Sequence, residues 1–174
     1  MANNKSNPIY TKKGDSGNAK TYSNEEYPKN HIIFECIGNI DELSSFLGLS
    51  YHYCKLALIK TIQKHLQSIN SQIATNQNSN NYQKIEKITE EDVTLLEDFI
   101  NSYLEKAPIE NQFYLPGSEK TKAGAYIDVS RAITRRCERS IITYEKLTKR
   151  EDLKAIKMYL NRLSDLLFVL SINS

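Results

Sequence analysis

The sequence predicts an all-α protein, five helices packed as one domain, and three observations carry that expectation. Apolar residues recur at helical spacing from Leu43 to Ile172, so each segment has a stripe to bury. No stretch shows the apolar–polar alternation of a strand at any length, and no segment repeats another. Four of the six glycines lie at or before Gly48 and the others are Gly117 and Gly124, which leaves a long glycine-free middle for helices. With 174 residues, 40% of them hydrophobic, one domain over 1–174 can bury a continuous core without disulfide or metal staples.

The elements follow in order. Ile9 to Lys29, rich in Gly, Ser, Asn, Lys and Tyr, has no sustained period and reads as an ordered loop or a disordered lead-in to a bundle over about 38–173. The first helix is expected from Gly38, with Asn39 as cap and Glu42 as its capping-box partner, ahead of Leu43, Phe46, Leu47 and Ser50. A second runs from about Lys55 through Leu58, Ile59, Ile62, Leu66, Ile69 and Ile73, ending near Asn76. The polar stretch Asn76 to Lys84 is a loop. Thr89 and Asp92 open a third helix, which Pro108 closes. Phe113 to Gly124 breaks the pattern with Pro116 and Gly117, and an arginine-rich helix starts near Tyr126. The last helix, about Asp152 to Ile172, is apolar almost all round, so its own bundle or another subunit must bury it.

Charge and cysteine usage narrow the function classes. Lys and Arg number 23 against 21 Asp and Glu, a net +2 that supplies no general attraction to nucleic acid or to an anionic membrane. Cys36, Cys54 and Cys137 are widely separated and form no CxxC pair, which argues against a disulfide framework or zinc knuckle and for buried thiols in a reducing compartment. The N-terminal residues lack the apolar run of a signal peptide, and no later stretch is long and apolar enough to span a bilayer, so the expectation is a cytoplasmic protein.

Three constellations carry chemistry. In GDSGNAK, residues 14–20, glycines allow close backbone approach, successive amides can cradle an anion, and Lys12, Lys13 and Lys20 supply charge. It lacks the GxxxxGK[ST] pattern, and by itself reads more simply as a solvated turn. In RAITRRCER, Arg131, Arg135 and Arg139 recur every fourth residue with Glu138 among them, a row suited to bidentate phosphate contacts or to structural salt bridges. Asp41 is a helix-dipole partner or a site residue. Asn161, in an apolar helix, must find partners for its amide and so knits the bundle or contacts a ligand, whereas Arg162 and Asp165 read as structural. His31, His52 and His65 have no metal-ligand spacing, and no metal site or catalytic Cys–His pair is indicated.

Taken in order, IYTKKGDSG, FECIGNIDELSSFLG, FYLPGS, RAITRRCER and YLNRLSDLLFVL resemble the PduO-type ATP:cob(I)alamin adenosyltransferases from Ile9 to about Ser171. The resemblance implies a five-helix, ferritin-like up-down bundle assembled as a homotrimer, with ATP at each subunit interface beside the corrinoid. It implies that Tyr10, Thr11, Lys12, Lys13, Gly14, Asp15 and Gly17, with Lys20 and Lys29, wrap the triphosphate. Arg135, Arg136, Glu138, Arg139 and Asn161 match nucleotide contacts. Asp41 and Arg131 match an inter-subunit salt bridge that shapes the site, and Phe113 matches the aromatic residue that displaces the lower axial base of the corrinoid. Co(I) then attacks C5′ of ATP and expels triphosphate, so the protein needs no nucleophile of its own; Arg135, the lysines and Mg²⁺ neutralise the leaving group. A cobalamin reductase and an adenosylcobalamin-dependent enzyme are implied as partners. Ala19, Ile33 and Ser118 depart from the family pattern, and the stretch from Gly117 to Arg131, with Lys122 and Asp128, looks about two residues longer than in close relatives. An adenosylcobalamin carrier of the same fold, or a helical nucleotide-binding regulator, are the competing readings.

Overall fold

The structure, a computed structural model, describes Tyr10, Lys12 and residues 14–174. Five helices dominate: α1 Ile32–Cys54, α2 Ala57–Ile73, α3 Glu90–Lys106, α4 Lys122–Thr148 and α5 Lys154–Asn173. The expected capping box of α3 is present, with the Thr89 backbone N–H donating to Asp92 Oδ2 at 2.9 Å. Two starts differ from expectation. α1 begins at Ile32, not Gly38, because His31 takes the cap role: its Nδ1 accepts from Ile33 N at 3.3 Å, and its ring stacks on Tyr27. Asn39 is therefore a buried residue inside the helix, donating to Glu35 at 3.2 Å, and Glu42 pairs with Arg136 instead of capping. α4 likewise starts at Lys122, ahead of Tyr126, because Thr121 Oγ1 accepts from Gly124 N at 3.1 Å.

Side-chain pairs fix the directions of the helices. Gln63 reaches Ser44 and Asn70 reaches Asp41, so α2 runs antiparallel to α1. Tyr53 meets Tyr126 and Glu42 meets Arg136, so α4 is antiparallel to α1. Glu145 with Lys157 and Glu138 with Asn161 set α5 antiparallel to α4, whereas Glu90 with Lys154 and Glu97 with Arg162 set α3 parallel to α5. The five helices thus alternate up and down in chain order. His65 closes the bundle from α2, its Nδ1 lying 3.1 Å from Tyr159 Oη on α5 and its Nε2 3.5 Å from Asp92 on α3. Ile40, Leu43 and Leu47 of α1 share one core with Ile59, Ile62 and Leu66 of α2, Ile127 and Ile141 of α4, and Leu163 and Leu167 of α5. Of the two ways to bury α5, its own bundle supplies the cover, since α5 packs between α3 and α4.

One end of the bundle holds structure that the periodicity did not reveal. A small antiparallel hairpin, β1 Asn18–Lys20 and β2 Glu26–Pro28, pairs Ala19 with Tyr27 and Lys20 with Glu26, contrary to the strand-free reading. Three residues per strand are too few for alternation to register. The hairpin turn is tied to the end of α2: Tyr22 N donates to Ala74 O at 3.0 Å, and Asn76 Nδ2 donates to Glu25 at 2.7 Å. Buried Arg150 caps α2 from below, donating to the carbonyls of Gln72, Ile73 and Thr75 at 3.1, 3.3 and 3.2 Å. Its guanidinium also pairs with Asp152, which accepts from Tyr82 of a short 3-10 turn, Asn80–Gln83, in the polar loop. That buried tyrosine is why the loop is ordered.

Candidate functional site

The glycine turn sits at the hairpin end. Gly17, at φ +85°, lets Gly17 N donate to Gly14 O at 3.2 Å while Gly17 O accepts from Lys29 N at 2.8 Å. The Lys29 side chain lies across Gly14 so closely that a methyl group there would stand 2.9 Å from Nζ. The turn and Lys29 are therefore brought together, with Asp15 and Lys20 exposed beside them. Asp15 N donates to Lys12 O at 3.3 Å, and the Lys12 ammonium lies 6.0 Å from the exposed Tyr10 ring. Thr11 and Lys13 lie outside the described residues.

On α4 the arginine row divides. Ile133, Cys137 and Ile141 face the core, which turns Arg135 and Arg139 outward, and neither makes an ion pair among the described residues. Arg136, by contrast, is engaged by Glu42 on α1. Glu138 accepts from Asn161 Nδ2 at 3.5 Å, and Arg162, itself held by Glu97 at 2.6 Å, donates to Asn161 Oδ1 at 3.1 Å. A donor-only guanidinium on one side and an acceptor-only carboxylate on the other set the Asn161 amide one way round. Burial raises the Cys36 thiol to about 11 and the Cys137 thiol to about 12, so neither is a nucleophile at neutral pH. Cys54 is half-buried, short of the full burial expected of all three.

Asp41 lies well inside α1, beyond the first turn where a helix dipole acts, so the dipole reading fails. It is exposed, accepts from Asn70 Nδ2 at 2.8 Å, and lines a cavity of about 650 Å³ between α1 and α2 together with Tyr22, Ser44, Lys60 and Gln67. Arg131 pairs with Asp128 at 2.7 Å. Taking the Glu42–Arg136 pair as register, Arg131 sits roughly 9 Å along the bundle axis from the level of Asp41, at about 1.5 Å per residue. Phe113 is 84% exposed in the loop between α3 and α4, at the end opposite the hairpin. Tyr114, edge-on to Phe168, anchors that loop on α5. One chain thus holds its glycine turn and its Phe113 at opposite ends, separated by about the length of α1, roughly 35 Å. Asn70 and Glu42 were not expected at the site. A polar residue within the apolar stripe of α2 was the available signal for Asn70, and nothing local marked Glu42.

The departures take simple places. Ala19 is half-buried opposite Tyr27, Ile33 is a core residue of the first turn of α1, and Ser118 Oγ donates to Leu115 O at 2.7 Å beside Gly117, at φ +94°. Lys122 opens α4, and Asp128 holds Arg131.

Fold and surface together define a mostly helical protein, five helices with one small hairpin, that carries an open cationic face and a lysine-crowned glycine turn, and comparison narrows that class. A profile of the family described as cobalamin adenosyltransferase matches residues 9–173. The corrinoid adenosyltransferase of Citrobacter freundii is 34% identical over 92% of this chain and 90% of its own length, and that of Bacillus subtilis is 34% identical over 92% and 82%. A solved structure of a variant PduO-type ATP:corrinoid adenosyltransferase from Lactobacillus reuteri, complexed with cobalamin and ATP, superposes with a TM-score of 0.84 at 27% identity, covering 94% of this chain and 89% of that one. The chain belongs to the cobalamin adenosyltransferase family. Its activity is the transfer of an adenosyl group to a corrinoid. No described helix is long and apolar enough to cross a membrane.

Proposed function

We propose that the chain transfers the 5′-deoxyadenosyl group of ATP to Co(I) of cobalamin at sites built between the subunits of a homotrimer. The observation that carries the shared site is the fate of Asp41 and Arg131: each has a neutral or local partner in its own chain, and they stand apart on it. Meeting across an interface would bring α1 of one subunit to α4 of the next. It would also bring together the glycine turn and the exposed Arg135 and Arg139, neither of which makes an ion pair among the described residues.

In this reading the turn from Tyr10 to Gly17, with Lys20 and Lys29, holds the triphosphate of ATP as its Mg²⁺ complex. Arg135 and Arg139 add guanidinium charge, and Glu138 and Asn161, locked in one amide orientation, contact the nucleoside. Arg136 contributes less directly, since Glu42 already neutralises it. Phe113 projects its ring from a loop tip, where it can enter the lower face of the corrinoid and displace the axial base. The Co(I) lone pair then forms the Co–C5′ bond while the C5′–O bond breaks, and triphosphate leaves with that electron pair. Positioning and charge neutralisation do the work, because no side chain need accept a proton or form a covalent link. The three free cysteines suit a reducing cytoplasm, where a cobalamin reductase supplies Co(I) and an adenosylcobalamin-dependent enzyme takes the product.

Anaerobic incubation with ATP, Mg²⁺ and chemically reduced cobalamin, followed by the visible spectrum, tests the reaction. Asp41→Ala and Arg131→Ala subunits, each inactive alone, should regain turnover when unfolded and refolded together, since a mixed interface carries one intact pair. No recovery would place both residues in a single-chain role. Corrinoid bound without turnover by the wild type would turn the reading to a carrier.

A further inference from the structure

We infer that Asn70 is a positioning residue for the reaction: it fixes the rotamer of Asp41 and so presents one carboxylate oxygen of α1 outward to the site. The inference rests on the interface reading of Asp41. Its basis is a repeated device on the α1–α2 seam. Two amides of α2, one heptad apart, each donate to a main-chain carbonyl of α1, also one heptad apart: Gln63 Nε2 to Ser44 O at 2.9 Å, and Asn70 Nδ2 to Ile37 O at 3.5 Å. Both are register pegs that hold α2 against α1.

Asn70 does something more. Its second N–H goes to Asp41 Oδ1 at 2.8 Å, the shortest of these contacts and one to an ionised group. With both hydrogens directed at α1 acceptors, the amide cannot flip without placing its oxygen against a carbonyl and a carboxylate. That leaves Asn70 Oδ1 buried without a hydrogen-bond partner among the described residues, an arrangement that packing alone would not favour. Asp41 is thus held at one oxygen, while its Oδ2 has no partner among the described residues, and the residue lines the α1–α2 cavity. A free carboxylate on an exposed helix face samples several rotamers, whereas this one is presented in a single pose, so an incoming guanidinium meets a fixed acceptor and makes a charge-assisted hydrogen bond to it.

Gln63 provides the internal control, since it shares the register role and touches no carboxylate. Asn70→Ala should lower kcat/KM for cob(I)alamin about tenfold, the effect of one hydrogen bond to a charged group, whereas Gln63→Ala should lower only the melting temperature. In a double-mutant cycle with Asp41→Asn, Asn70→Ala should have no further effect on turnover. Asn70→Asp, which keeps the side-chain shape and guards against a folding defect, should lose activity at pH 8 and regain part of it toward pH 5.5, as the introduced carboxyl gains a proton to donate. Additive losses in the cycle, or equal activity losses for Gln63→Ala and Asn70→Ala, would overturn the inference and make Asn70 a packing residue. Full activity of Asp41→Asn would instead remove the interface reading beneath it.

Discussion

Replacing Arg150 by Met keeps the aliphatic stem and deletes the guanidinium, which makes it the sharpest probe of the hairpin end. The group donates to two α2 carbonyls, to that of Thr75 just past the helix, to Tyr144 Oη at 3.4 Å and to both oxygens of Asp152. Deleting one partner of a buried ion pair costs about 3–5 kcal/mol, because the other charge is stranded. At about 2–4 °C per kcal/mol for a chain of this size, the melting temperature should fall by about 6–20 °C. Urea unfolding at fixed protein concentration, followed by circular dichroism, measures the loss directly. Arg150→Met with Asp152→Asn should recover part of it. Burial alone would raise the Asp152 carboxyl, but the bonds from Arg150 and Tyr82 outweigh it and hold the group below its ordinary value of 3.8. A depressed folded value stabilises above 3.8 and is lost as pH falls through the folded value, so the gap between wild type and Arg150→Met should be full at pH 7 and narrow below pH 4. A loss under about 1 kcal/mol at pH 7, set against the expected 3–5, would refute the reasoning, as would a gap unchanged at pH 3. Because the hairpin hangs on Ala74 and Asn76, the variant should also raise KM for ATP more than KM for the corrinoid.

A Cβ on Gly124 would lie 2.6 Å from Ser171 O, so Gly124→Ala should destabilise by about 1–3 kcal/mol, read as a shift in urea midpoint; an unchanged midpoint would show that α4 and α5 can part freely. At pH 8 a thiol reagent should label Cys54 promptly, with Cys36 and Cys137 reacting only on unfolding; three equal rates would contradict their burial. Since burial raises those two thiols from 9.0 to about 11 and about 12, their contribution to stability is complete below pH 9 and lost as pH rises through the folded values. The urea midpoint should therefore drop between pH 9 and 11, and less so in Cys137→Ala measured against its own value at pH 8.

The amino-acid sequence by itself determined which segments are helices, since apolar period, the Thr89–Asp92 box and the breaks at Pro108 and Pro116 are local signals that neighbours do not alter. It also determined the family, because five short motifs in a set order are specific where each alone is not. Only the tertiary structure decided what the polar residues do. His31 as a cap, Arg150 under α2, Glu42 on Arg136 and Asn70 on Asp41 each join residues distant in the chain or use a side chain with no local signature. The separation of Asp41 from Arg131, and of the glycine turn from Phe113, has the same origin: spacing along a chain states which face of a helix a residue shares, and only the packing of helices states what that face meets.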